Sequence, residues 1–323
     1  MQRGKWLPMG LLVSALAVQA VWAQDGYPSR AVRIVVPYPA GSSTDLVARA
    51  VAEKLARKWG QSVVIENKPG AAGNLGTQFV AHAPPDGYTL VTGTVANAIS
   101  ASLYKGQLKH DFAKDFEAVA LFSSTPLAMV ANPAAPFDSV PQLIAYARKH
   151  PGRVNYGSGG NGTSTHLSGV MLGSMADIEL VHVPYKGATA ATADLIGGQI
   201  QIMFDSLVAT LPNVKAGRMK ILGVTTRTRS AAAPDVPAIG ETLPGFEALG
   251  WQGLNAPAGT PVAIIEKINR DVVEALKSSD LQQMFAPTGA VLAGGSPGDY
   301  KRFIDEEIVK WAEVVKRAGA SAN

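Results

Sequence analysis

Strand-length apolar runs alternate with segments of helical periodicity along the first third of the chain. Val32–Val36 is a mostly apolar run that predicts a buried strand, and Ser43–Trp59 has apolar residues at i+4 spacing, which predicts a helix. A strand at Ser62–Ile65, a helix at about Asn74–Ala83 and a strand at Tyr88–Gly93 come next. This βαβαβ order predicts a parallel sheet flanked by helices, and therefore the α/β class.

The same alternation returns in the middle of the chain. A strand is predicted near Leu127–Ala131, and two helices, Pro261–Ser278 and Pro297–Arg317, are predicted at the end. The segment between them predicts a helix at Val140–His150 and then a second βαβαβ unit, with strands at Val154–Tyr156, Leu180–Val183 and Ile200–Phe204 and helices at Thr163–Met175 and Ala188–Gly197. A further strand is predicted at Ile221–Val224.

Two α/β units followed by helices predict two lobes with a ligand between them. The C-terminal helices are expected to pack on the first lobe, so the chain crosses between the lobes at least twice, near Ser123–Pro126 and near Phe246–Gly253. We therefore assign residues 24–124 and 250–323 to lobe 1 and residues 125–249 to lobe 2.

The first residues have the pattern of a secretory signal peptide. Arg3 and Lys5 precede an apolar segment, Leu7–Val21, and Val21-Trp22-Ala23 fits the small-x-small cleavage pattern apart from its bulky middle residue. The apolar run is shorter than the ~20 residues that a membrane span needs. We expect residues 1–23 to be removed after Ala23 and the mature chain to be exported to the periplasm.

The composition argues against several classes of function. The chain has 29 lysines and arginines and 25 acidic residues, for a formal net charge of +4, and its basic residues are scattered rather than clustered. Nucleic-acid binding is therefore not expected, and the slight positive charge favours an anionic ligand. The chain has no cysteine, and none of its His, Asp and Glu residues has the spacing of metal ligands, so no metal is expected.

The first strand runs into the first helix through a short segment, PYPAGS at residues 37–42, which we call the first turn. N–H groups at the start of a helix lack partners inside it, and the helix dipole adds positive charge there, so this turn suits an anion. Pure helix capping is the alternative role for its hydroxyls. Asp45 is expected to be structural, because its carboxylate would repel a bound anion. The candidate ligand-binding residues here are Tyr38, Ala40, Gly41, Ser42, Ser43, Thr44 and Asp45.

A second strand-to-helix segment, GGNGT at residues 159–163, is called the second turn. Together with Gly157 it matches the G-x-G-x-x-G fingerprint of dinucleotide-binding proteins. That fingerprint also needs an acidic residue at the end of the next strand, and Leu180–Val183 is followed by Pro-Tyr-Lys, so no cofactor is expected. The candidate ligand-binding residues here are Ser158, Gly159, Gly160, Thr163 and His166.

Other candidates follow predicted strands at the carboxyl edge, where open α/β sheets bind ligands. Asp205 can accept a ligand hydroxyl, ammonium or water, or serve only as a helix cap, and Lys186 can attract a distal carboxylate or lie at the rim. The full set is Asn97, Tyr185, Lys186 and Asp205.

A hydrolytic triad is the main enzymatic alternative. Ser158, His166 and Asp205 have the required chemistry, but the chain has no G-x-S-x-G nucleophile elbow. Catalysis is therefore not expected, and a secreted serine-type hydrolase is kept as the alternative.

Several segments, taken in order, resemble the solute-binding proteins of tripartite tricarboxylate transporters, often called the Bug family. The resemblance covers essentially the whole mature chain and also includes the Pro-rich segment before Trp251. Its segments are YPSRAVRIVVPYPAGSSTD, VIENKPGAAGN, PPDGYTL, NYGSGGNGTSTHLSG and VPYKGATAATADLIGGQIQIMFDSL.

The resemblance implies a two-lobed periplasmic binding protein of type II, a Venus flytrap in which each lobe is a mainly parallel sheet flanked by helices. It implies a carboxylate held between the loops Tyr38–Asp45 and Tyr156–His166, with Asp205 at the cleft floor. It also implies delivery to an inner-membrane permease with one large and one small subunit. The family often has Gly-Gly in the first loop, whereas this chain has Gly41-Ser42-Ser43, so ligand choice is expected to differ there.

The sequence thus predicts a monomeric periplasmic binding protein for a small organic carboxylate, which captures its ligand by closure of the lobes and has no catalytic activity. A ligand sensor for a membrane kinase is a further alternative. The sequence leaves open whether the ligand is a dicarboxylate, a tricarboxylate, an aromatic acid or an amino acid.

Overall fold

A computed structural model describes residues 26–318. The predicted signal peptide therefore lies outside the described residues. The strands are β1 (Val32–Val36), β2 (Val63–Asn67), β3 (Thr89–Thr94), β4 (Phe116–Ala131), β5 (Val154–Ser158), β6 (Leu180–Pro184), β7 (Ile202–Ser206), β8 (Lys220–Val224), β9 (Leu249–Pro257) and β10 (Val291–Gly294). The α-helices are α1 (Ser43–Trp59), α2 (Asn74–Ala81), α3 (Val95–Leu103), α4 (Val140–Lys149), α5 (Ser164–Ala176), α6 (Ala188–Ile196), α7 (Leu207–Lys215), α8 (Val262–Leu276), α9 (Ser279–Phe285) and α10 (Pro297–Ala318).

Both predicted βαβαβ units are confirmed. In the first, β1 pairs in parallel with β2 and β3, and in the second, β5 pairs in parallel with β6 and β7. Parallel pairing brings the carboxyl ends of these strands to one edge of the sheet in each unit, so the turns that follow β1 and β5 lie at such edges.

Two long strands join the units. β4 pairs antiparallel with β9 as far as Pro126, and from Leu127 onward it pairs with β7 and β8. β9 lies between β3 and β4, so antiparallel pairs occupy the middle of a strand order β2-β1-β3-β9-β4-β7-β5-β6. β4 thus changes partners directly after Pro126, at the end of the segment where a crossing was predicted, while the assignment of residues to lobes stays a prediction.

The sequence did not predict β9, and it predicted only the last part of β4. The reason is visible in β9, which is buried at seven consecutive positions from Trp251 and so lacks the polar–apolar alternation of a half-buried strand. Two glycines, Gly250 and Gly253, further weaken its strand propensity. The short elements α3, α7, α9 and β10 were also not predicted.

The C-terminal helices pack on both units rather than on the first alone. α8 packs on α1 and β4, whereas α10 contacts α3 of the first unit and α5 of the second. One apolar cluster runs through this contact and contains Leu103, Leu167 and Trp311. Within residues 26–318, none of the helices is long and apolar enough to cross a membrane.

Candidate ligand-binding site

The first turn leads from β1 into α1 with a standard helix cap. Gly41 has φ +80°, a left-handed conformation that suits glycine, and it lets the chain bend before the helix. The Ser42 hydroxyl then accepts a hydrogen bond from the Asp45 N–H at 3.3 Å. Within residues 26–318, the N–H groups of Ser43 and Thr44 have no acceptor, and the Ser43 side chain is exposed. Two free N–H groups and one hydroxyl at a helix N-terminus are suited to bind an anion.

Asp45 holds the first turn in shape instead of facing a ligand. It is 1% exposed, and its carboxylate accepts hydrogen bonds from the Gly41 N–H at 2.9 Å, Arg49 Nε at 2.9 Å and Asn67 Nδ2 at 2.8 Å. Burial opposes its ionisation, but the bonds from Arg49, Gly41 and Asn67 outweigh burial and lower the pKa of Asp45. The second Asn67 contact, to the Tyr38 carbonyl at 3.0 Å, ties the turn to β2.

Replacing Asp45 with asparagine is expected to lower the free energy of unfolding by about 2–3 kcal/mol, because the amide NH2 group would face at least one donor that now meets a carboxylate oxygen. Chemical denaturation would measure the loss. The matched control is Asp305→Asn, which removes a partly exposed i,i+4 pair with Lys301 and should change stability by less than about 0.5 kcal/mol. Equal effects of the two substitutions would contradict the structural role of Asp45.

Two of the other first-unit candidates, Tyr38 and Ala40, lie in the first turn, whereas Asn97 is buried in a helix. Tyr38 reaches the end of β3, where its hydroxyl and that of Thr94 are 2.9 Å apart, and Ala40 is exposed in the turn. Asn97 was predicted at the ligand edge, but it lies in α3 and is 2% exposed. Its Oδ1 accepts from the Thr94 N–H and its Nδ2 donates to Thr77, both at 2.9 Å, so its side chain caps α3.

The second turn repeats the geometry of the first. The Thr163 hydroxyl accepts from the His166 N–H at 3.3 Å, as Ser42 accepts from Asp45. Across the described part of the chain, the N–H groups of Ser164 and Thr165 have no acceptor. Each turn therefore presents the first two N–H groups of its helix.

The glycines of the second turn are used differently from the prediction. The N–H of Gly159 donates to Thr165 Oγ1 at 3.1 Å, and the N–H of Gly160 donates to Ser158 Oγ at 3.1 Å. Gly162 donates to His166 Nδ1 at 3.2 Å. The glycine N–H groups thus hold the turn, and the donors left for a ligand belong to the helix start.

Ser158 pairs with a histidine that the sequence reasoning did not select. Its Oγ lies 2.7 Å from His182 Nε2, on the neighbouring strand β6, and not beside His166 as the hydrolytic triad requires. Ser158 has no exposed surface, so its hydroxyl is not accessible as a nucleophile. The strand register could have revealed this pair. His182 lies opposite Tyr156, and Tyr156 lies two residues before Ser158, so all three side chains are on the same face of the sheet.

Tyr185 and Lys186 lie in the turn after β6, which packs on the second turn. The Tyr185 N–H donates to the Ser158 carbonyl at 3.1 Å, and its hydroxyl donates to Asp194 at 2.7 Å. Burial, reinforced by the hydrogen bond to Asp194, raises the pKa of Tyr185 to about 12. Lys186 is exposed and, within residues 26–318, has no ion-pair partner.

Asp205 lies in β7, which pairs with β5, the strand that precedes the second turn. Gly157 of β5 pairs with Met203, so Asp205 lies level with Gly159 at the carboxyl edge. Its Oδ1 accepts from the Ser206 N–H at 2.8 Å. Burial raises the pKa of Asp205, although the bond from Ser206 opposes the rise. Asp205 therefore lies at the same edge of the sheet as the second turn.

Helix α3 links the two turns. Its capping residue, Thr94, contacts Tyr38 of the first turn, and Leu103 at its other end lies beside Gly162 of the second, where an added Cβ would be 3.1 Å from Leu103 Cδ2. A surface groove of about 600 Å³ lies elsewhere, between Arg33 and Phe79, and contains none of the candidate residues. In the described ranges, no group of three or more His, Cys, Asp or Glu side chains is arranged to hold a metal.

Two α/β units joined by crossing strands, each with a helix N-terminus that offers free N–H groups, define a two-lobed solute-binding protein of the periplasmic binding protein fold. The chain belongs to the TctC family, the tripartite tricarboxylate transporter family receptors, whose sequence model matches residues 47–320.

Similar proteins support this assignment. Protein BugT of Bordetella pertussis is 32% identical over 97% of this chain and 96% of its own length. An R. palustris protein solved with adipate is 36% identical with a TM-score of 0.78, covering 91% of this chain and 98% of that one. MatC from Rhodopseudomonas palustris, solved with bound malate, is 33% identical with a TM-score of 0.76, covering 90% and 100%.

Proposed function

We propose that this chain is an exported, periplasmic receptor that captures a small organic carboxylate between its two lobes and delivers it to a tripartite-type permease with one large and one small subunit. The observation that carries the proposal is the matched pair of turns, which leave the N–H groups of Ser43, Thr44, Ser164 and Thr165 without acceptors among the described residues. The relatives solved with adipate and malate support a dicarboxylate as the first ligand class to test.

The capture mechanism follows from the chemistry of the helix ends. A carboxylate docks on one turn, the other lobe adds hydrogen bonds, and the ligand selects the closed form because it contacts both lobes only there. Each charge-assisted hydrogen bond contributes roughly 1.5–3 kcal/mol after desolvation. A few such bonds are enough for micromolar binding, which corresponds to about 8 kcal/mol.

Binding without catalysis is the better interpretation of the Ser158 and His182 pair. Ser158 Oγ already accepts from the Gly160 N–H, and within residues 26–318 no carboxylate bonds to His182 as the third member of a triad would. Ester hydrolysis that disappears in Ser158→Ala would favour the hydrolase alternative. Affinity capture of a membrane kinase instead of a permease would favour the sensor alternative.

A thermal-shift screen of carboxylic acids tests the proposal. A ligand present at about a thousandfold its Kd stabilises the protein by ~4 kcal/mol, which should raise Tm by about 5–10 °C. We expect at least one dicarboxylate, with adipate and malate in the panel, to reach this range, and the corresponding diols to produce no shift. If no acid raises Tm and calorimetry also detects no heat of binding, the proposed function is wrong.

A further inference from the structure

Three rings are stacked behind the second turn. They come from three elements, Tyr156 from β5, His166 from α5 and His182 from β6. The two imidazole rings are 4.0 Å apart with an interplanar angle of 23°, and the Tyr156 ring lies 4.9 Å from His182 at 30°. Gly169 of α5 gives the stack its space, since a Cβ there would lie 2.2 Å from the Tyr156 ring.

Each imidazole holds a different part of the second turn. His182 Nε2 bonds to Ser158 Oγ at 2.7 Å, and Ser158 Oγ in turn accepts from the Gly160 N–H at 3.1 Å. His166 Nδ1 accepts from the Gly162 N–H at 3.2 Å. The stack therefore connects the two histidines and fixes both glycine N–H groups.

This arrangement requires His166 to be neutral. Nδ1 can accept the Gly162 N–H only when it carries no proton, so the proton of the neutral ring is on Nε2. Burial and, for His166, the neighbouring His182 lower the pKa of each ring to about 4. The groups that face the rings are the Tyr156 phenol of β5, the Ser158 hydroxyl, the turn N–H groups and each other, and among the described residues no carboxylate lies beside them to stabilise a positive ring.

We propose that His182 is a positioning residue of the ligand site, which fixes the second turn through Ser158 and through its stack on His166, and that the turn keeps this shape only while His166 is neutral. The proposal rests on the proposed function, because the turn presents the Ser164 and Thr165 N–H groups that a carboxylate would use. It adds a consequence for regulation, since uptake of a proton by His166 breaks the Gly162 bond and releases the ligand in acid.

The test compares wild type, His182→Ala, His182→Gln and the control His150→Gln. Glutamine can place an amide group near the position of Nε2 and keep the bond to Ser158, whereas alanine cannot. His150 is an exposed histidine of the same unit whose ring lies 4.5 Å from that of Tyr146 at 43°, so its replacement matches the chemistry away from the turn. Calorimetry with adipate and with malate at about pH 7.5 measures affinity, and amide hydrogen exchange of the ligand-free protein measures protection of Gly160 and Gly162.

We expect His182→Ala to weaken binding about tenfold and to speed exchange at Gly160 by a similar factor, with recovery of most of both in His182→Gln and no change in His150→Gln. Wild-type affinity and wild-type protection in His182→Ala would overturn the inference. If wild type binds neither probe, the carboxylate proposal loses its support, while the exchange data still decide the role of His182.

A measurement on wild type covers the case in which His182→Ala does not fold. Nitrogen-15 shifts of the imidazole rings report the protonated nitrogen directly. We expect His166 to carry its proton on Nε2, with Nδ1 bare, from about pH 7.5 to about pH 5. A proton on His166 Nδ1 at about pH 7.5 would overturn the inference.

Discussion

Replacing Ser43 with proline is expected to weaken dicarboxylate binding by about tenfold to a hundredfold without lowering stability. Proline removes the N–H group and the hydroxyl at the first position of α1, and a charge-assisted hydrogen bond from such an N–H contributes about 1.5–3 kcal/mol. The N–H has no acceptor within the described residues, so the folded protein loses no internal bond. Titration calorimetry with adipate measures the change in Kd.

The backbone at Ser43 is compatible with proline, so the substitution should remove the N–H group without disturbing the helix. Proline is favoured at the first helical position, because its φ is near −65° and it needs no N–H there. It also requires an extended residue before it, and Ser42 has φ −67° and ψ 158°. Loss of binding would therefore report the missing donor rather than a broken helix.

Two matched variants separate the possible causes. Ser43→Ala removes only the hydroxyl and should weaken binding less than Ser43→Pro. Val262→Pro places proline at the first position of α8, on a residue that is 71% exposed, and should leave both affinity and Tm unchanged. Wild-type affinity in Ser43→Pro would contradict a role of the first turn in binding.

Lowering the pH from about 6.5 to about 4 is expected to reduce the free energy of unfolding by about 5 kcal/mol, roughly half of it from each of the two stacked histidines. In the folded protein the pKa of each of His166 and His182 is lowered to about 4 by burial. Between about pH 6.5 and about pH 4 the unfolded chain therefore binds protons that the folded chain does not bind. The free energy of unfolding consequently falls as the pH is lowered through this range. Urea denaturation at several pH values measures the slope.

The double substitution His166→Gln and His182→Gln should flatten that slope, whatever it does to stability at neutral pH. Part of the slope should remain, because burial also lowers the pKa of His110. The exposed-site control His150→Gln should keep the wild-type slope. An unchanged slope in the double variant would mean that these rings titrate alike in the folded and unfolded chains.

The first turn was predictable because its signals are local. The run Val32–Val36, the turn residues and the capping hydroxyl of Ser42 follow one another directly, so strand end, cap and helix start can be read within a dozen positions. The role of Asp45 was also predictable from charge repulsion, although its partner Asn67 on β2 was not.

Other features depend on contacts between distant segments. β9 has no alternation because both of its faces are buried, and α3 starts at Val95 directly after β3 with no turn residue to mark the change. Asn97 was placed at the ligand edge because the helix that it caps was not predicted. His182 was missed because its bond to Ser158 joins residues 24 positions apart across two parallel strands.

Titration calorimetry of wild type and of the double variant Ser43→Pro and Ser164→Pro tests the central claim most directly. Ser164 is the first residue of α5, and Thr163 before it is extended, with φ −77° and ψ 159°, so proline fits there as it does at Ser43. We predict that wild type binds one dicarboxylate per chain and that the double variant keeps its Tm but shows no binding. A double variant that binds adipate or malate as tightly as wild type would contradict the claim that the two helix starts hold the carboxylate.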